Sequence, residues 1–405
     1  MFKKCILLLV FVAFSCSKEN VFNGGITNTV IVPLEKCVDG FAGEYPCNDY
    51  DLIAHISLEE LYGEGTEGND CWGWTDPLTQ KEYALMCTTK GTSFIDITNP
   101  SEPIIVGFLN TATQNSPWRD VKVFKNFAFI VSEAANHGMQ IFDLRNLRDV
   151  TNPPQEFNAD ARYTGFKNAH NIVINETTGF AYAVGTNTFS GGPHFVDINN
   201  PINTVAFGGY SNDSYSHDAQ VVTYNGPDSD YTGKEILIGS NENELVIVDV
   251  TDKANPSQIS TISYSNIGYT HQGWFTEDMA HFILGDELDE IDFGGNTRTL
   301  IFDFSDLDNP VFSFDYFGPT TAIDHNGYVK GNLFYQASYT AGVRIIDISN
   351  IQNQSMNEVG FFDTYPEDDI AAFNGVWSVY PYFESGNIIV SDIDRGFFII
   401  RKTGS

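Results

Sequence analysis

Hydrophobic positions along the chain come in short bursts of four to six residues, broken by turns rich in Asn, Asp, Gly and Pro, with no sustained helical period. One burst recurs with the same ending, an apolar strand closed by Asp and a turn: SFIDITNPSEP (93–103), MQIFDLRNLRD (139–149), HFVDINNPINT (194–204), LVIVDVTDKANP (245–256), LIFDFSDLDNP (300–310) and RIIDISNIQNQ (344–354). The closing residues Asp96, Asp143, Asp197, Asp249, Asp303 and Asp347 fall 44 to 54 residues apart, which matches a propeller blade plus loop insertions. A second element opens each unit: Arg119-Asp120, His170-Asn171, His217-Asp218, His271-Gln272, His325-Asn326 and Phe373-Asn374. Another strand lies between opener and closer, such as FAFIVSE (127–133), and a fourth follows the closer, such as PIIVGFLN (103–110). Four antiparallel strands per unit predict one blade each.

The units run over about 72–112, 118–163, 170–213, 217–266, 271–318, 325–366 and 373–405. The last stops after its third strand, while DLIAHISLEEL (51–61) stands ahead of the first like an orphan fourth strand. This mutual deficit predicts an all-β, seven-bladed β-propeller whose N-terminal strand completes the last blade and removes an exposed edge, with six or eight blades as alternatives. Continuous apolar runs such as LVIVDV (245–250) and TLIFDF (299–304) suit strands buried on both faces. Each closing aspartate is expected to accept a backbone N–H from the turn that follows it.

The N-terminus reads differently. Lys3 and Lys4 precede an apolar run from Ile6 to Phe14 and then Ala13-Phe14-Ser15-Cys16, the layout of an exported lipoprotein. Residues 1–15 are therefore expected to be a signal peptide, with Cys16 acylated, 16–50 a lipidated linker with a disulfide-stapled segment, and 51–405 the propeller. The expected location is the outer membrane or cell surface, membrane contact being through the lipid alone, with plain secretion as the alternative. Four cysteines remain, and an even count outside the cytoplasm predicts two disulfides. Of the three pairings, Cys37 with Cys47 and Cys71 with Cys87 is favoured. The formal net charge of −32 argues against nucleic acid as a partner, and a monomer is expected.

The segment ELVIVDV (244–250), together with CVDGFAGEYPC, WGWTDPLTQKEYAL, WRDVKV, HGMQIFDL, NAHNIVINETTGFAYAVGTN, THQGWFTED, LGDELDE, AIDHNGYV and FNGVWSVYP, closely resembles the choice-of-anchor B family of LVIVD-repeat proteins over about residues 37–401. The resemblance implies a propeller tethered to the cell surface, with Cys16 as this chain's anchor. It implies no chemistry.

In a propeller the first strand of each blade lines the channel, so the openers should converge at one mouth: His170, His217, His271, His325, Arg119 and Asn374. Loops between second and third strands should add Glu133, Asn187, Asn241, Glu242, Asp286, Glu287, Asp392 and Asp394 to that face. Of these, the four histidines with Arg119, Asn374, Glu133, Glu242, Asp286, Glu287 and Asp392 are the ligand-binding candidates. The four imidazoles could hold a transition metal. A structural alternative has each histidine bracing an acidic or polar residue of its own blade. Calcium is a weaker candidate at DSDYTGKE (228–235), where Asp228, Asp230 and Gly233 fit a calcium loop but the twelfth position is Gly239. HExxH, GxSxG and Walker motifs are absent from the sequence, and no catalytic residue is assigned. The expected function is a surface binding module for a glycan, peptide or protein, with a metal-dependent enzyme at the axis and a structural scaffold as the alternatives.

Overall fold

The computed structural model describes residues 34–405, so the segment expected to be a signal peptide (1–15) and the expected acylation site, Cys16, lie outside the described residues. Seven antiparallel four-stranded units follow one another along the chain. Blade 1 consists of Gly68–Thr75, Glu82–Thr88, Gly91–Asp96 and Ile104–Asn110, and blade 2 of Arg119–Phe124, Phe127–Ser132, Met139–Asp143 and Ala161–Tyr163. Blade 3 is Asn171–Asn175, Phe180–Val184, His194–Asp197 and Val205–Gly209; blade 4 is Asp218–Thr223, Glu235–Ser240, Leu245–Asp249 and Ser257–Ile262. Blade 5 is Thr270–Phe275, His281–Asp286, Arg298–Asp303 and Val311–Phe317; blade 6 is Gly327–Lys330, Leu333–Ala337, Val343–Asn350 and Ser355–Phe362. Blade 7 takes Val376–Tyr380, Ile388–Asp392 and Gly396–Lys402 from the C-terminus and its outer strand, Tyr50–Ile56, from the N-terminal side. The predicted seven-bladed ring and its closure are both present.

Closure is tight, with Leu52 opposite Ile400 and Ile56 opposite Phe397 in antiparallel register. The expected strand over 51–61 ends sooner, because Ser57 and Glu60 form a reciprocal capping box that starts a helix at Leu58–Tyr62. Just upstream, Phe41–Ala42 and Tyr45–Asn48 form a hairpin that joins the outer strand of blade 6, with Cys47 opposite Phe362. The Cys37–Cys47 disulfide staples this hairpin. Gln155–Phe157, from the long loop of blade 2, pairs in parallel with the outer strand of blade 1.

All six repeat aspartates act as expected. The side chains of Asp96, Asp143, Asp197, Asp249, Asp303 and Asp347 each accept the backbone N–H two residues on, at 2.8–3.0 Å. Each carboxylate thus supplies a partner to a turn that has left its ladder.

The favoured Cys71–Cys87 bridge is not formed, and both thiols are free and buried. Cys71 pairs with Met86, which places Cys87 one residue out of register. Successive strand residues face opposite ways. Cys71 therefore packs with Ala84, Met86 and Ile399 between blades 7 and 1, whereas Cys87 packs with Leu85, Val121 and Phe142 between blades 1 and 2. Burial raises the pKa of both thiols, that of Cys87 to about 12.

Two outcomes follow from this architecture. Iodoacetamide should label neither Cys71 nor Cys87 in the native protein and both after unfolding in guanidinium, as read by peptide mass mapping; native labelling of either would contradict the packing described. Deleting residues 50–56 removes the fully buried Leu52 and Ile56, worth roughly 1.5–3 kcal/mol each, and bares the edge of Gly396–Lys402. The melting temperature should fall and aggregation rise, by calorimetry and light scattering; an unchanged melting temperature would refute this closure.

Candidate functional site

The first strand of every blade carries its side chains in layers along the channel, because alternate residues return to the same face. At the mouth lies an arc of imidazoles. Neighbouring ring centroids are 4.2 Å apart for His170 and His217, and 4.3 Å apart for both His217 with His271 and His271 with His325. Trp377 extends the arc at 4.8 Å from His325. The structure thus brings all four predicted histidines together, on blades 3 to 6.

Their partners differ from the expected own-blade braces. His170 Nδ1 is 2.6 Å from Glu133 Oε1, a residue of blade 2. His217 Nδ1 is 3.3 Å from the His271 carbonyl, and His325 Nδ1 is 2.6 Å from the Trp377 carbonyl, each in the following blade. A carbonyl can only accept, so these two nitrogens carry the proton. His271 has no such anchor: it is 2% exposed and its Nδ1 has no hydrogen-bond partner among the described residues. The reason is geometric, since a strand side chain projects toward the neighbouring sheet and not along its own.

Glu287, on the loop between the second and third strands of blade 5, reaches into this arc. Its Oε1 accepts from the Tyr339 hydroxyl at 2.7 Å, and its two oxygens lie 3.6 Å from the Nε2 atoms of His271 and His325. Burial, reinforced by neighbouring imidazoles, drives the pKa of His217 and His271 well below the usual histidine range; burial lowers that of His325 to about 4 and raises that of Glu287. The three rings are therefore neutral at neutral pH. Tyr339 holds a backbone φ of +29°, strained for an aromatic residue, clamped by its bridge to Val376.

Other predicted site residues lie elsewhere. Asn374 sits three residues ahead of the arc and donates to Asp394, and Trp377 takes the position next to His325. Arg119 turns toward blade 1, donating to the Thr88 carbonyl at 3.1 Å and contacting His137 at 3.0 Å. Asp286 is used up in bracing the segment that leads into blade 5, accepting from the backbone of Gly268 and Tyr269 and from the Tyr264 hydroxyl. Asp392 likewise accepts from Asp394 N, Arg395 N and Thr364 Oγ1. Glu242 is exposed and accepts from the Tyr269 hydroxyl at 3.2 Å; the Tyr269 ring packs edge-on to His217. The calcium reading does not fit its segment: Asp228 caps the turn at Ser229–Tyr231, and Gly239 lies inside the strand Glu235–Ser240.

Below the imidazoles lies a charged layer that sequence reasoning missed. Lys122 Nζ contacts Asp120 at 2.6 Å and Asp70 at 2.9 Å, all three buried. Burial works against the ammonium, yet the carboxylates of Asp120 and Asp70 outweigh it and hold its pKa well above normal. Burial also pushes Asp120 well up and Asp218 to about 7. Deeper still, Trp72, Trp274, Tyr328, Tyr380 and Tyr382 pack together with centroids 4.9–6.4 Å apart, and Lys122 sits 4.6 Å over Trp72.

Comparison with known proteins bears on the repeat. The LVIVD repeat family matches residues 83–111, 233–263 and 328–364, which lie in blades 1, 4 and 6. The chain carries LVIVD repeats. The third strand of blade 4 is itself Leu245-Val246-Ile247-Val248-Asp249, so the repeat's signature comprises the strand and its turn-capping aspartate. No curated protein matches this LVIVD-repeat chain. It is similar to the crystal structure of a protein from Lactobacillus plantarum (TM-score 0.51, 11% identity, covering 80% of this chain and 87% of that one). It is also similar to a functionally unknown protein from Desulfotomaculum acetoxidans (TM-score 0.52, 12% identity, covering 80% and 95%). A third likeness is to the extracellular domain of a hybrid two-component system from B. thetaiotaomicron (TM-score 0.50, 10% identity, covering 85% of this chain and 39% of that one). At these identities the likeness is one of fold alone.

A separate cleft of about 180 Å³ is lined by Asp289, Glu290, Arg298 and Asp315 among others. Burial, together with the adjacent Asp289, raises the Glu290 pKa to about 9. The run LGDELDE carried this acidity in the sequence, but not the fact that Asp289 and Glu290 would be 3% and 5% exposed.

The charged layer of the LVIVD-repeat channel yields a pH-dependent outcome. Lys122→Met strips Asp70 and Asp120 of their cation and should cost about 3–5 kcal/mol at neutral pH. A buried acid whose folded pKa is raised lends stability that is present below its unfolded pKa and lost as pH rises through the folded value. The deficit measured by urea unfolding should therefore shrink toward pH of about 4. A pH-independent deficit would contradict this.

Proposed function

We propose that the protein is a cell-surface binding module that takes a glycan at the histidine mouth of its propeller. The observation that carries this reading is the exposure of two aromatic rings on the segments that enter blades 2 and 7, at the end of the propeller that carries the histidine arc. Trp118 is 43% exposed immediately before the first strand of blade 2, and its carbonyl accepts from Glu133 N and Ser132 Oγ. Phe373 is 48% exposed ahead of blade 7 and packs edge-on against Tyr339 at 5.4 Å. Aromatic faces suit the C–H surface of a sugar ring, and carboxylates such as Glu133 and Glu242 accept its hydroxyls. Two large apolar rings left in water, one of them, Phe373, beside the strained, buried Tyr339, fit a surface kept for contact.

The membership in the choice-of-anchor B family and the lipid anchor at Cys16 belong to the same proposal, supported by the sequence layout and by the repeat match. A peptide or protein ligand is the competing outcome, and an array carrying glycans and peptides side by side separates them. Wild-type protein should retain glycans. Trp118→Ala and Phe373→Ala, both at exposed positions, should each weaken retention about three- to tenfold with an unchanged melting temperature. Retention of peptides alone, or of glycans equally by both variants, would overturn the reading.

A further inference from the structure

Beneath the exposed rim, donor atoms converge that the glycan reading does not use. One ring nitrogen each from His217 and His271 and a carboxylate oxygen of Glu287 all lie within 4.8 Å of one another. We propose that these three residues bind a divalent first-row transition metal ion, of the zinc or cobalt class, on the propeller axis.

Two of the three ligands are oriented by a partner on the other side. His217 donates from Nδ1 to the His271 carbonyl, at 3.3 Å, which fixes its tautomer and leaves Nε2 as the free lone pair. Glu287 Oε1 is held by the Tyr339 hydroxyl at 2.7 Å, so Oε2 is the oxygen left to bind. That oxygen sits 3.6 Å from His271 Nε2, too far for a hydrogen bond. His271, 2% exposed, presents that Nε2 as the third donor, while its Nδ1 has no partner among the described residues.

Two imidazole nitrogens and one carboxylate oxygen form the donor set of open zinc sites and of non-haem iron sites. Bonds of about 2.1 Å place tetrahedral donors about 3.4 Å apart, so modest side-chain rotation closes the triangle. The fourth position would face the channel mouth. His325 stands next in the arc, its Nδ1 committed to the Trp377 carbonyl and its Nε2 3.6 Å from Glu287 Oε1. The acidic group Asp228, Asp306 and Asp308 also lies within 4.8 Å, but Asp228 already accepts backbone N–H groups from Asp230 and Leu307, Asp306 accepts that of Asp308, and Asp308 accepts from the Tyr231 hydroxyl.

The test uses full-length protein purified without a histidine tag, stripped with chelator and titrated with Zn²⁺ alone by calorimetry, with no glycan present. One equivalent should bind, the melting temperature should rise with added Zn²⁺, and Co²⁺ should give visible d–d bands. His217→Gln and His271→Gln should abolish binding, and Glu287→Gln, which keeps its volume, should weaken it at least tenfold. Asp228→Asn should leave it unchanged. Absence of saturable Zn²⁺ and Co²⁺ binding would overturn the proposal. So would binding that survives Glu287→Gln and is lost in Asp228→Asn. Because the readout is metal uptake by the protein alone, failure here leaves the glycan reading standing, and failure on the array leaves this one standing.

Discussion

The first strand of each blade is hydrogen-bonded to a second strand on one edge and has only the channel on the other, so sheet pairing cannot join blade to blade around the axis. Side chains do so instead, and a recurring set of them reaches toward the next blade. Asp120 accepts from Ile172 N, Asn171 donates to the His217 carbonyl, and Gln220 accepts from Phe275 N. Gln272 both accepts from Gly327 N and donates to its carbonyl, and Asn326 reaches Ser378. Buried bonds of this kind are worth about 0.5–1.5 kcal/mol net, and leaving one unmade costs about 1–3 kcal/mol. A polar pair at the start of each first strand is thus a requirement of a closed ring whose blades have no backbone ladder between them.

The histidine arc is part of this girdle. His217 and His325 use Nδ1 to hold the next blade, and only Nε2 remains for other work. A single side chain therefore serves the fold with one nitrogen and the channel with the other. Structural bracing and ligand binding are then compatible uses of one residue. His271 breaks the pattern, since its Nδ1 holds nothing among the described residues.

Much of this was legible in the sequence wherever the signal was a period. The aspartates Asp96 to Asp347 disclosed the blade count, the turn chemistry and the strand ends, because each feature recurs six times with the same cause. The site was legible only to the level of which residues approach the mouth. Bulges at His271 and at Trp377 shift the register by one residue, and no composition signal marks them. In blade 7 the arc position falls to Trp377, three residues past Asn374, because the FNG of 373–375 matches the HNG of 325–327 too early in the chain. Strand parity separated Cys71 from Cys87, whose loop length alone suited a bridge. The change from strand to helix at Ser57 was not read from the sequence, because the apolar pattern of 51–61 runs on through the capping box that Ser57 and Glu60 form.

The vertical order of the channel then decides which ligands it favours. Trp72, Trp274, Tyr328, Tyr380 and Tyr382, drawn from blades 1, 5, 6 and 7, fill the axis at the far end, and Lys122 from blade 2 lies over Trp72. Above them the single Lys122 ammonium balances the Asp70 carboxylate, while burial holds the pKa of Asp120 well above the usual range and that of Asp218 at about 7. An anion entering from the mouth would meet Glu133, Glu287 and then this layer, with Lys122 already engaged. The field along the axis therefore favours neutral, hydroxylated or cationic species.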